Sequence, residues 1–157
     1  MALRFPKAKV FAFDLNESAL QLCRDLASLN GVGERVNLSS ECAPATLAQI
    51  ASTGKTLIIC DCDSCELALF ADEILPELSE CDLLIETHDC LNMNITSTLR
   101  YRFQESHSIR VIDSIADIRK VFEYRYDELE AFDLNKRKLL LSERPHHQEW
   151  FYMTPLV

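Results

Sequence analysis

Apolar positions along the chain switch between two spacings, and the switches mark out its elements. Val10, Phe11, Ala12 and Phe13 form a continuous apolar run that stops at Asp14, the pattern of a strand covered on both faces in a parallel sheet. Asn16 then offers an N-cap, and Ala19, Leu22, Cys23, Leu26 and Leu29 recur at helical spacing. Asn30-Gly31 has the left-handed C-cap chemistry that ends a helix. A second strand is expected over 36–39 and a short helix over 45–51. The run "TLIIC" (56–60) reads as a buried strand leading into Asp61, followed by a helix from about 66 to 78 that breaks at Pro76. "DLLIE" (82–86) is another strand closing on an acid. Residues 94–105 form a helix with Ile95, Leu99 and Phe103 on one stripe, and 109–112 a fifth strand. Helices are expected over 116–122 and 127–141, the latter weakly periodic, and "EWFYMTP" (149–155) is a last strand. His107 follows a helix and reads as superficial; His146 and His147 sit in a polar turn and read as exposed.

Strands alternating with helices define an α/β fold with an open, mostly parallel sheet. Such sheets bind ligands outside the carboxyl ends of their strands. Asp14, Asp61 and Glu86 all close strands there. A single acid at such a place is explained by helix capping, because unpaired amides at a helix N-terminus stabilise a carboxylate. Three in one layer point beyond capping, to a ligand.

Bulk properties narrow the classes. The 157 residues suit one domain spanning 1–157, with 48% apolar and 26% charged residues. A net charge of −9, from 25 acids against 16 bases, repels phosphate backbones, so no nucleic-acid partner is expected. The best basic run, Lys136-Arg137-Lys138, is short and flanked by acids. No apolar stretch reaches the roughly 20 residues of a membrane span, and "MALRFPKAK" lacks the apolar region of a signal peptide. The seven cysteines are odd in number. Cys60, Cys62 and Cys65 lack the second ligand pair of a structural zinc site, so no metal is expected and reduced thiols in the cytoplasm are. A homo-oligomer is allowed by the composition.

The stretch "VFAFDLNESALQLCRDLASLNGVGERVNL" resembles the second strand, helix and third strand of class I S-adenosylmethionine-dependent methyltransferases. The resemblance implies a Rossmann-like three-layer sandwich, a small-molecule acceptor and S-adenosylmethionine as cofactor. It places Asp14 on the two ribose hydroxyls, which suits an acceptor-only carboxylate, with Leu15 and Asn16 flanking the nucleoside. Glu41 and Cys42, in "SSECAPATL", fall at the adenine position. "IICDCDSCELALF" and "DLLIETHD" are similar to the FkbM-type branch, with Asp63 replacing an acid and Ser64 a glycine of that pattern. By this resemblance Asp61 lies near the cofactor and acts in catalysis, Asp63, Glu66 and Glu86 face the substrate, and His88 is a general base. A hydrogen-bonded structural histidine is the plainer reading of His88.

One family element is not in the sequence. A first strand with a glycine-rich turn should precede Asp14, and there "MALRFPKAKV" contains no glycine. The first strand and helix are therefore expected to be absent, leaving an incomplete sheet with two open strand edges. A longer natural chain, direct pairing of the flanking strands, or a strand from a partner would each account for this. The function expected is methylation of a hydroxyl on a small or sugar-like acceptor, if the missing part is supplied. A non-catalytic interaction domain of the same fold is the main alternative, and a nucleotide-binding oxidoreductase the third.

Overall fold

A computed structural model describes residues 1–142 and 148–156. The chain forms two compact units, Met1–Leu47 and Ala48–Val157. His146 and His147 lie outside the described residues.

In the first unit, β1 (Val10–Phe13) leads into helix α1 (Glu17–Leu29), and β2 (Val36–Ser39) pairs with β1 in parallel. Asn16 caps α1 as its sequence predicts, its side chain accepting from the backbone N–H of Ser18 and Ala19, and Gly31 takes a φ of 65° just past the end. The expected buried stripe of α1 is corrected: Leu20 and Ala27 are buried, whereas Leu22, Leu26 and Leu29 are exposed. Arg35 ties down the N-terminal segment by donating to the carbonyls of Ala2, Phe5 and Ala8. The division between the units falls within α2 (Pro44–Ala51).

The second unit holds β3 (Leu57–Cys60), the short α3 (Glu66–Leu69) and α4 (Leu75–Leu78), β4 (Asp82–Thr87), α5 (Ile95–Phe103), β5 (His107–Asp113), α6 (Asp117–Glu123), α7 (Leu134–Leu141) and β6 (Glu149–Pro155). Its sheet has the order β3-β4-β6-β5. β3 and β4 are parallel, and β6 is antiparallel to both β4 and β5. The α/β, Rossmann-like class expected from the alternation of elements is what forms.

The core of this unit follows from cross-strand pairing. Leu83 faces Met153 and Ile85 faces Phe151 across β4 and β6, and all four are fully buried. α5 adds Ile95, Leu99 and Phe103, the predicted stripe, also fully buried. Phe103 is a hub, its ring edge-on to Phe70 at 5.9 Å and to His107 at 5.3 Å. His107 is therefore not superficial. It is 2% exposed and opens a longer strand than the sequence predicts.

Three further expectations change. The helix expected over 66–78 breaks at Phe70-Ala71, where Ala71 turns extended, and Pro76 sits at the start of α4, where a ring costs no hydrogen bond. The expected helix over 127–141 is a turn at 127–129 and α7 alone. β1 and β3 are not covered on both faces: Phe11, Leu57 and Ile59 are exposed, and on β3 they alternate with buried Ile58 and Cys60. An all-apolar run encodes two-sided burial, but only one face of β3 is packed. Among the described residues β1 pairs only with β2, and β3 only with β4.

Candidate functional site

The parallel register of β3 and β4, with Cys60 opposite Ile85, delivers two chain exits at one sheet edge. Asp61 leaves β3 there, and His88 leaves β4. The turn after β3 is unusual: Asp63 and Ser64 have φ of 48° and 85°. Few residues other than glycine adopt positive φ, and each such position costs about 1–3 kcal/mol and persists only where its surroundings hold it. The Ser64 backbone has the geometry a glycine would supply. The bend carries Asp63 back beside the strand end and starts α3 at Glu66.

Glu66 is fully buried, and its Oε1 is in close contact with Nδ1 of His88. The same oxygen accepts from the Ser64 backbone N–H at 3.4 Å. A carboxylate accepts only, so Nδ1 carries the proton, and a neutral ring then holds its lone pair on Nε2. That Nε2 lies 3.4 Å from Oδ1 of Asp61 and 3.4 Å from Oδ1 of Asp63. It is buried and has no hydrogen-bond partner, and neither has Oε2 of Glu66. The His88 carbonyl accepts from Leu91 and Asn92 N–H, and Asp89 accepts from Thr96 N–H, so the turn after β4 is tied down just beyond the imidazole. Glu86 is buried within β4, its backbone opposite Trp150.

The three clustered cysteines lie close to one another, Cys62 contacting both Cys60 and Cys65. Cys60 is buried and Cys65 exposed. Cys60 and Cys62 bring their sulfurs to 3.5 Å. Donating to Cys62, with burial, pushes the Cys60 thiol up, and accepting that bond pulls the Cys62 thiol down. The group whose donor atoms lie within 4.8 Å of one another is instead Asp61, Asp63 and His88, among the described residues.

In the first unit, Asp14 follows β1 directly, and its N–H donates to Ser39 O. Its Oδ1 accepts from Asn16 N–H at 2.8 Å. The carboxylate therefore does the local turn work that capping predicts, and it stays exposed, as do Leu15 and Asn16. Glu41 is exposed in the loop after β2, and Cys42 beside it is half-buried, its thiol pushed up by burial. Asp14 and Glu41 share the carboxyl edge of the β1–β2 pair.

The residues present fit one end of S-adenosylmethionine and not the other. An exposed carboxylate on a capped turn suits a ribose. A backbone cradle for the amino-acid end needs glycines in close approach to a ligand or to another chain segment. Gly31, Gly33 and Gly54 are the chain's three glycines, and each has open space where a Cβ would stand. Gly31 and Gly33 lie between α1 and β2, and Gly54 precedes β3, so none follows a strand's carboxyl end, where such a cradle forms.

No protein-family model matches the chain, and no curated protein does either. Among solved structures, the "Crystal structure of MccD protein" is similar, with a TM-score of 0.47 and 11% identity over 96% of this chain and 80% of that one. No helix of the described residues is long and apolar enough to cross a membrane. The chain has a Rossmann-like α/β fold with an acid–imidazole centre at the carboxyl ends of two parallel strands.

Proposed function

We propose that the chain is a methyltransferase-type domain acting on a hydroxyl of a small or sugar-like acceptor, with S-adenosylmethionine as methyl donor. One observation carries the reading: a buried Glu66–His88 pair aims an imidazole nitrogen at Asp61 and Asp63 where an α/β sheet binds its ligands. Glu66 positions the ring and fixes its tautomer. Nε2 is then the group that meets the acceptor hydroxyl and takes its proton, while Asp61, Asp63 and Glu86 supply the polar surroundings of the acceptor. Asp14 is assigned the ribose, Leu15 and Asn16 the flanks of the nucleoside, and Glu41 and Cys42 the adenine. The donor, when bound, supplies an electrophilic methyl group; this chain's residues contribute positioning and proton removal.

The test is binding of S-adenosylhomocysteine by calorimetry, comparing the full chain with Asp14→Asn. The amide keeps an acceptor for Asn16 N–H but loses the second charged acceptor. A hydrogen bond to a charged group is worth about 1.5–3 kcal/mol, so affinity should fall by roughly tenfold or more. Absence of measurable binding by the unmodified chain defeats the reading. It would favour the second one, a non-catalytic interaction domain of the same fold. Exposed Leu22, Leu26, Leu29, Leu57 and Ile59 speak for that alternative.

A further inference from the structure

We infer that Asp61, Asp63 and His88 form a binding site for one divalent first-row metal ion, with Glu66 as the residue that orients its imidazole ligand. The site lies wholly within the second unit and stands whether or not the domain transfers methyl groups.

The distances decide between a proton and a metal. A proton on Nε2 shared with a carboxylate draws the heavy atoms to about 2.7–2.9 Å. Here both carboxylate oxygens stand off at 3.4 Å. Two ligand atoms on one metal, each bonded at about 2.0–2.2 Å with angles between octahedral and tetrahedral, are separated by about 2.8–3.6 Å. The spacing is that of neighbouring ligands on an ion, and all three donors already lie within 4.8 Å of one another. The orphaned groups agree with this. A buried Nε2 with no hydrogen-bond partner points into the gap between two carboxylates, and the buried Glu66 Oε2 also has no partner.

The donor set narrows the ion. One imidazole nitrogen with two carboxylate oxygens suits Mn²⁺ to Zn²⁺ better than Ca²⁺ or Mg²⁺, which take all-oxygen sites. A carboxylate behind the imidazole is the usual outer-shell partner of a ligating histidine. Three protein ligands leave coordination positions open, as in catalytic rather than structural sites. The side chain of Asp63 is 84% exposed and that of Asp61 40%, so an ion can enter. Under the methyl-transfer reading the two uses of Nε2 exclude one another: the ion-bound form holds the lone pair on the metal, and the metal-free form offers it to the acceptor's proton.

The experiment is Mn²⁺ titration of the full chain followed by electron paramagnetic resonance, with pulsed measurement of nitrogen coupling. One saturable site per chain with an imidazole nitrogen signal is expected. The double variant Asp61→Asn/Asp63→Asn, both side chains solvent-accessible, should abolish it. Glu66→Gln should weaken it by about 10–100-fold, the usual cost of losing an outer-shell partner, while Glu77→Gln/Glu80→Gln should leave it unchanged. Zn²⁺ should displace the Mn²⁺. Binding weaker than about 1 mM, binding without nitrogen coupling, or equal binding by the Asp61/Asp63 double variant would overturn the assignment. The S-adenosylhomocysteine measurement reads a different unit of the chain, so failure of one does not imply failure of the other.

Discussion

His107 should make the second unit acid-sensitive, and replacing it with glutamine should remove that sensitivity. The ring is buried beside Phe103; its Nε2–H donates to the Cys81 carbonyl at 3.0 Å, and Ser106 Oγ sits 2.8 Å from Nδ1. As a neutral imidazole it is fully used. Burial, which penalises the charged form, holds its pKa below the ordinary 6.5 despite the opposing effect of the Cys81 carbonyl. The sign follows from linkage. Above the unfolded value of about 6.5 both states are neutral, so stability does not depend on this group. As pH falls below that value, the unfolded chain takes up the proton first and the folded state loses ground. One proton limits the slope to about 1.4 kcal/mol per pH unit, so the loss by pH 5 is at most about 2 kcal/mol. Urea unfolding from pH 7.5 to 5, followed by fluorescence of the single tryptophan, Trp150 in β6 of the same unit, measures it. His107→Gln keeps a donor for Cys81 but loses ring packing, a fixed offset at every pH. The gap between the two proteins should narrow as pH drops, because the unmodified protein alone carries this titration. A constant gap, or one that widens, would show that the reasoning about this ring is wrong.

Two other outcomes follow from the packing. Phe103→Ala removes a fully buried ring that touches Phe70 and His107, and should cost about 3–5 kcal/mol in denaturant unfolding; a loss below about 1 kcal/mol, the range of volume-conserving swaps, would mean the site collapses freely. Iodoacetamide labelling read by mass spectrometry should modify exposed Cys65 and Cys90 well before buried Cys60 and Cys81; equal labelling of all four in the native protein would contradict the burial described.

The fold was largely legible in the sequence because its signals are local. Asn16, Asn30-Gly31 and the stripe of Ile95, Leu99 and Phe103 act within a turn or two of themselves, and each does what its chemistry predicts. Burial was less legible, because an apolar run declares what a residue prefers and not what is available to cover it. Leu57 and Ile59 read the same as Ile58 and Cys60, yet only the latter are packed. The same limit hid His107, whose partner Cys81 lies far from it in sequence. At the candidate site, Asp61 was visible as an acid ending a strand, and Asp63, Glu66 and His88 only through a family resemblance. Their convergence was not, since it depends on two non-glycine residues taking positive φ and on a register between strands whose residues lie 25 apart, Cys60 opposite Ile85. Glu66 in particular reads as an acid facing substrate, and only its burial shows it to be the group that holds the imidazole.

The position of β6 sets the order in which this unit can be made. β6 comes after β5 in the chain yet lies between β4 and β5, bonded to both. On the ribosome, β4 and β5 therefore wait with bare backbone edges until residues 149–155 emerge. Contacts such as Leu84 with Tyr152 close large loops, which slows folding and lengthens exposure of unpaired strands. Nascent chains stalled before residue 149 should accordingly engage chaperones, and release should coincide with arrival of that final strand.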